Sequence, residues 1–199
     1  MANSGHGGFD GGAVAQDGTV EKDINLQIAL RVADFLKFNG YEIILTRTED
    51  SGTEDDSNLA IPKRKKSDLT NRLKIMQENP DAIYVSIHLN KFTTSAASGT
   101  QVFYTPNFKE ARSLAECVQK NVTTLLQPEN TRVIKQGTSS TYLLKNAKVP
   151  AVIVECGFLS NKAELEKLKS EEYQSQMAFA VAGGIINFYG NLQGEIYGF

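Results

Sequence analysis

Apolar residues recur along the chain in two patterns, one typical of amphipathic helices and one typical of buried strands. Between residues 21 and 38 the apolar side chains fall on one stripe of a helix, and Asn39 and Gly40 end this pattern. Further helices are predicted for residues 63–78, 108–126 and 170–189. The helix that starts at residue 63 is expected to end before Pro80, because proline disfavours a helical conformation in the residue preceding it.

Short and nearly continuous apolar runs alternate with these helices and predict strands. The clearest runs, residues 82–88 and 149–155, lack the polar alternation of a half-exposed strand and are typical of strands buried on both faces. Shorter strands are predicted for residues 42–46, 100–104 and 141–144. Residues 1–20 and 47–61, rich in glycine and polar side chains, are predicted to be loops.

Long helices between strands need crossover connections, which favour parallel strands with helices on both faces of the sheet. The 199 residues are 41% hydrophobic, enough apolar material for one complete core. We therefore predict a single α/β domain over residues 1–199, with a mostly parallel mixed sheet of about six strands.

The charge balance narrows the classes of partner. The formal net charge is -2, whereas nucleic-acid-binding proteins usually carry a strong basic excess, so no nucleic-acid partner is expected. The one basic run, residues 62–66, is interpreted as a solvated helix start, and Cys156 as a small buried side chain.

Four residues stand out as candidates for chemistry: His6, Glu21, His88 and Glu155. A single histidine at a strand end is more often a hydrogen-bonded structural residue than a ligand. The placement of the four residues changes that balance, because sites in parallel α/β sheets gather beyond the carboxyl ends of the strands. His88 and Glu155 end the two central apolar runs, Glu21 opens the first helix, and His6 lies in the glycine-rich turn before it.

These residue types suit a metal-dependent hydrolase. A carboxylate at the end of a buried strand needs a compensating partner, and a metal site supplies one. Two histidines and one carboxylate around Zn²⁺ leave a fourth position for water, which is the usual catalytic arrangement. Amide hydrolysis also needs a group that carries a proton to the leaving nitrogen, and Glu155 suits that role.

The motifs around these residues resemble those of the zinc-dependent N-acetylmuramoyl-L-alanine amidases. The matching motifs are GHGGFDGGA at residues 5–13, EKDINL at 21–26, LTR at 45–47, SIHLN at 86–90 and ECGFLSN at 155–161. They follow the family order over nearly the whole chain. The resemblance implies zinc ligation by His6, Glu21 and His88, catalysis by Glu155, and peptidoglycan as the substrate. Arg72 matches a family arginine that we expect to be structural.

Within the family, residues 47–73 most resemble the sporulation amidases, with an acidic loop, a basic run and then a helix. This resemblance implies removal of stem peptides from spore-cortex muramic acid, which a deacetylase then converts to muramic-δ-lactam, the mark read by germination enzymes. It implies action outside the cytoplasm, in the cell wall or the forespore intermembrane space, and allows for an activating or stabilising partner protein.

The start of the chain departs from the family pattern. Family members have a strand that ends in Asp before Gly-His-Gly-Gly, whereas residues 1–4 here are Met-Ala-Asn-Ser. We therefore expect an empty slot in the sheet, weakened zinc binding, and an upstream extension that contains the missing strand and a signal or anchor. The segment between Asn90 and Thr100 is too short for the helix that blocks the site in some family members.

Two further interpretations stay open at this point. A wall-binding module with a decayed catalytic site is the first, although all four candidate residues are intact. The second keeps the zinc chemistry but acts on another amide. Three aromatic residues, Tyr104, Tyr142 and Phe158, suit sugar stacking, but packing at strand ends is the favoured interpretation.

Overall fold

The protein, as a computed structural model, is described for residues 1–138 and 141–197. The strands are β1 (Ala2–Ser4), β2 (Tyr84–Asn90), β3 (Gln101–Tyr104), β4 (Lys135–Gln136) and β5 (Ala151–Phe158). The helices are α1 (Glu21–Phe38), α2 (Ile61–Gln77), α3 (Lys109–Leu125), α4 (Tyr142–Asn146), α5 (Lys162–Lys169) and α6 (Glu171–Tyr197).

The strands form one sheet in the order β1-β2-β5-β3-β4. All neighbouring strands are parallel except β3 and β5, which are antiparallel, so the mixed and mostly parallel sheet predicted from the sequence is confirmed. The described residues contain five strands where about six were expected. The two long apolar runs became β2 and β5 at the centre of the sheet, where most of their side chains are buried.

Helices cover both faces of the sheet, as predicted. Helices α1, α3 and α6 pack together over one face around a large apolar cluster that includes Ile28, Val118 and Val181. Helices α2 and α4 cover the other face, where Met76 and Leu144 belong to a second, smaller cluster. Among the described helices, none combines the length and the apolar character that a membrane span requires.

The prediction that residues 1–20 form only a loop, and that the sheet has an empty slot, is wrong. Residues 2–4 form β1, which pairs with β2 in parallel register, and the Ala2 amide donates to the Ile44 carbonyl at 2.9 Å. Asn3 and Ser4 are polar, but both are buried, and the side-chain amide of Asn3 donates to the Ser86 hydroxyl at 2.6 Å. A partner distant in sequence therefore stabilises this strand. The upstream extension stays a prediction.

The strand predicted for residues 42–46 is reduced to a single bridge between Leu45 and Ala2. The segment runs beside β1 and makes two backbone hydrogen bonds with it, from Ala2 to Ile44 and from Thr46 to Ala2. Strand β1, beside this segment, has only three residues. The segment therefore has no further strand backbone with which to extend the pairing.

The strand predicted for residues 141–144 is also wrong, because residues 142–144 lie in α4 and Thr141 precedes the helix as its N-cap. Leu143 and Leu144 are both buried against the second apolar cluster, and a run of four residues does not distinguish a helical period from a strand period. Strand β4 and helix α5 were not predicted. Strand β4 has only two residues, both exposed, and therefore carries no apolar pattern.

Candidate active site

Two candidate residues lie side by side in the centre of the sheet. His88 in β2 and Glu155 in β5 are paired in register, and paired residues of neighbouring strands project from the same face. Glu155 does not end its strand as expected, because β5 continues to Phe158 after an irregularity in the pairing with β2. The two side chains nevertheless reach the same edge of the sheet.

Glu21 is the first residue of α1 and is buried, with 3% of its surface exposed. Its Oε2 accepts a hydrogen bond from the Ala13 amide at 2.8 Å, and its Oε1 accepts one from the Leu89 amide at 3.0 Å. Burial by itself would raise the pKa of Glu21, but contacts with His6 and His88 outweigh it and hold the pKa well below its usual range. Glu21 is therefore a fixed and charged carboxylate.

His6 lies in the glycine-rich turn after β1, with a left-handed backbone at φ 59°. Its Nδ1 donates to Asp10 Oδ2 at 2.8 Å, which directs Nε2 toward Glu21 Oε2 at 3.4 Å. Burial by itself would lower the pKa of His6, but the carboxylates of Asp10 and Glu21 raise it to about 9. A carboxylate behind a ring nitrogen is the usual support for a metal-binding histidine.

His88 completes a compact set of donor atoms. Its Nδ1 lies 3.1 Å from Glu21 Oε1, and its ring meets the His6 ring edge to face, with the ring centres 5.0 Å apart. One ligand atom from each of His6, Glu21 and His88 lies within 4.8 Å of the others. Ligands of a tetrahedral zinc ion with bonds of about 2.0–2.1 Å lie about 3.3 Å apart. The separations of 3.4 Å from His6 to Glu21 Oε2 and 3.1 Å from His88 to Glu21 Oε1 are close to this value, with each imidazole facing a different oxygen of the carboxylate.

Glu155 lies next to this set as a second carboxylate. Although part of the residue is exposed, its Oε2 atom is buried and has no hydrogen-bond partner among the residues that the structure describes. Burial raises the pKa of Glu155 to about 6, although the nearby His88 opposes the rise. A buried oxygen without a partner, beside two imidazoles and a carboxylate, fits a site that holds a metal ion and water.

Two buried guanidinium groups support the backbone that carries the candidate ligands. Arg72 donates to the carbonyls of Ser4 and His6, both at 2.8 Å. Arg47 donates to the carbonyl of Lys22 at 2.7 Å and to that of Gly5 at 3.3 Å. Arg72, expected to be structural, thus holds the turn on both sides of His6. Arg47 is the last residue of the LTR motif at 45–47, but its role was not predicted.

Three other supporting residues were missed. Asp10 holds His6, Lys65 forms an ion pair with Asp10 at 2.9 Å, and Asn25 donates to Glu21 Oε1 at 3.1 Å. Asn25 lies four residues after Glu21 in α1, and this spacing on one helix face is a signal that was available. The basic run was interpreted as solvated, but Lys65 in it reaches the edge of the site.

Comparisons with known proteins agree on one family. The family model for N-acetylmuramoyl-L-alanine amidases matches residues 1–187. The germination-specific N-acetylmuramoyl-L-alanine amidase of Bacillus subtilis (strain 168) is 35% identical over 185 residues, covering 93% of this chain and 77% of that protein. The CwlD amidase from Clostridioides difficile, solved in complex with the GerS lipoprotein, is 36% identical with a TM-score of 0.90, covering 94% of this chain and 96% of that chain. The amidase AmiC2 of Nostoc punctiforme is 30% identical with a TM-score of 0.79, covering 94% of both chains.

Proposed function

The chain belongs to the N-acetylmuramoyl-L-alanine amidase family and has that activity on peptidoglycan, and from this premise we propose a zinc-dependent mechanism. His6, Glu21 and His88 hold the zinc ion, and Glu155 is the catalytic residue. The bond cleaved joins the lactyl group of N-acetylmuramic acid to L-alanine. The observation that supports this assignment is the convergence of the three donor atoms within 4.8 Å, with Glu155 paired to His88.

When bound, zinc supplies Lewis acidity, which polarises the scissile carbonyl and lowers the pKa of water. Glu21 and the two histidines provide a fixed donor set, because backbone amides and Asn25 hold the Glu21 carboxylate and Asp10 holds the His6 ring. The site therefore needs little rearrangement of its own side chains during the reaction.

Glu155 carries the proton in both halves of the reaction. Its carboxylate takes a proton from the attacking water, whose oxygen forms the new bond to the lactyl carbonyl carbon. The carbon–nitrogen bond then breaks, and Glu155 gives the proton to the departing nitrogen of L-alanine. The products are a free lactyl carboxylate on the sugar and a stem peptide with a free amino terminus.

The spore cortex is the wall layer that we assign to this enzyme, with its products leading to muramic-δ-lactam after deacetylation. The support is the similarity to the germination-specific amidase of Bacillus subtilis and to CwlD from Clostridioides difficile. The corresponding place of action is outside the cytoplasm, in the cell wall or the forespore intermembrane space. An activating or stabilising partner protein is also part of the proposal, since that CwlD was solved in complex with a lipoprotein.

The test combines metal analysis with release of free N-terminal alanine from purified cortex peptidoglycan. The zinc-loaded protein should release alanine, and Glu155→Ala should keep its zinc but lose turnover. Glu116→Ala, at an exposed carboxylate of α3, is the matched control and should remain active. Zinc-loaded protein that binds peptidoglycan without releasing alanine would support the decayed wall-binding module instead. Full turnover by Glu155→Ala would remove this residue from the mechanism.

A further inference from the structure

Phe92 presents one face of its ring to solvent just beyond the candidate active site. It is 52% exposed and follows β2 by two residues. Its other face stacks on the ring of Phe158, with the ring centres 5.4 Å apart and the planes 13° from parallel. Phe158 is buried, so the sequence-based interpretation of Phe158 as packing is confirmed, and Phe92 is the accessible member of this stacked pair.

Neighbouring contacts support the Phe92 segment and the Phe158 ring on which Phe92 stacks. Its backbone amide donates to the Ser160 hydroxyl at 3.0 Å. The guanidinium of Arg132 lies 4.6 Å from the centre of the Phe158 ring and donates through Nε to the Ser98 carbonyl at 2.6 Å. A ring held in this way presents a flat apolar surface without first losing side-chain freedom, which favours binding of a flat partner.

The distance from the site suits the sugar end of the substrate. Phe158 lies three residues after Glu155 in β5, about 10 Å along the strand at roughly 3.3 Å per residue. The scissile carbonyl carbon is three bonds from the muramic acid ring, so at about 1.5 Å per bond this ring begins within roughly 5 Å of the reacting atom. A neighbouring sugar of the glycan strand falls further out, at the distance of the aromatic pair.

The exposed aromatic face suits a sugar ring. The C–H groups on one face of a pyranose ring form an apolar patch that packs against an aromatic face. A cleft of about 760 Å³ lies beside this segment and is lined in part by the hydroxyl-bearing residues Thr93, Ser95 and Ser160, which suit the hydroxyls of a sugar. Lys91 and Lys162 also line this cleft, and the Lys91 ammonium donates to the Val14 carbonyl at 2.8 Å.

We propose that the exposed face of Phe92 is a stacking platform for a pyranose ring of the glycan strand. The proposal rests on the proposed function, because it takes the sugar–lactyl–peptide substrate as given. Phe92 binds the part of the substrate that does not react, and it therefore acts on substrate affinity and specificity.

Fluorescence tests the platform without turnover. The chain contains no tryptophan, so Phe92→Trp in the Glu155→Ala background introduces a single reporter. Titration with the peptide-free disaccharide N-acetylglucosaminyl-N-acetylmuramic acid should give a saturable change in emission, and free stem peptide should give none. Phe179→Trp is the control, because Phe179 is also exposed but packs on Phe35, roughly 21 Å along α1 from Glu21 at about 1.5 Å per residue. A saturable response to the stem peptide alone, or to neither probe, overturns the platform.

Kinetics with two substrates supply the second readout. Phe92→Ala should raise KM about tenfold on a disaccharide-peptide with little change in kcat, and should leave a lactyl-peptide without sugar unaffected. An equal loss on both substrates would assign Phe92 to the peptide and contradict the proposal. Zinc-loaded wild-type protein that cleaves neither substrate would contradict the proposed function. The fluorescence titration needs no turnover and therefore tests sugar binding at Phe92 independently of that function.

Discussion

His88 and Glu155 are directly paired residues of two parallel strands, so a proposed metal ligand and the proposed catalytic residue share one backbone register. A shift of this pairing by one residue would turn one of the two side chains to the opposite face of the sheet. Strands β2 and β5 each pair with a neighbour on both sides in the sheet, which opposes such a shift. The relative position of the two groups is therefore a property of the sheet and not of a loop.

The glycine at position 5 leaves room for the His88 ring. A Cβ atom on Gly5 would lie 2.2 Å from the nearest atom of that ring, closer than any side chain tolerates. Gly5→Ala should therefore displace His88 and weaken zinc binding by at least about 100-fold, as judged by competition with a chelator. Gly190→Ala, in open space on α6, should leave zinc affinity unchanged. Unchanged zinc affinity in Gly5→Ala would contradict the assignment of His88 as a ligand.

The hydrogen bond from His6 to Asp10 should stabilise the metal site, although Asp10 is not itself a proposed ligand. Asp10→Asn removes the carboxylate that directs Nε2 of His6 toward Glu21, and zinc affinity should fall about 10- to 100-fold. Competition with a chelator measures the change. Asp34→Asn, at an exposed position of α1, serves as the control. Equal affinities in the two variants would show that Asp10 does not support His6.

The forked donors of Arg47 should matter more than its positive charge. Arg47→Lys keeps the charge but loses simultaneous donation from two nitrogens to the carbonyls of Glu49 and Lys22, so both zinc affinity and the free energy of unfolding should fall. We expect a loss of roughly 2–3 kcal/mol in unfolding free energy by denaturant titration. Arg47→Met should lower zinc affinity at least as much. A rise in zinc affinity in Arg47→Met would mean that repulsion between the guanidinium and the zinc ion outweighs the positioning of the backbone by Arg47.

The catalytic acid and the metal ligands should respond differently to amide substitution. Glu21→Gln should lose zinc and activity together, because its neutral side chain no longer stabilises two imidazoles around a cation. Glu155→Gln should retain zinc and lose turnover, since an amide does not carry a proton. Metal content and alanine release, measured on the same samples, separate the two patterns. Zinc loss from Glu155→Gln would place this residue among the ligands.

Long apolar patterns predicted the centre of the fold, and the motifs predicted the candidate ligands. Helix α1 and the strands β2 and β5 each bury a continuous set of apolar residues, which local pattern alone reveals. The motifs placed His6, Glu21, His88 and Glu155 in one site before any contact was known. Their convergence in the structure follows from the parallel pairing of the central strands.

The missed features depend on partners far away in the sequence. Strand β1 contains buried polar residues, and Asn3 is satisfied by Ser86 and Arg72. The support of the site by Lys65 arises only when α2 places it near Asp10. Phe92 was not among the predicted aromatic candidates, because its stacking partner, Phe158, is on another strand. Local periodicity carries no information about contacts of this kind.

The most direct test of the central claim is the position of the metal. Anomalous scattering from a crystal of the zinc-loaded protein, recorded on both sides of the zinc absorption edge, locates the ion independently of activity. The account predicts one peak at bonding distance, about 2.0–2.2 Å, from a nitrogen of His6, a nitrogen of His88 and an oxygen of Glu21, with Glu155 next to it. A peak at any other place, or zinc-loaded crystals with no peak between these side chains, would contradict it.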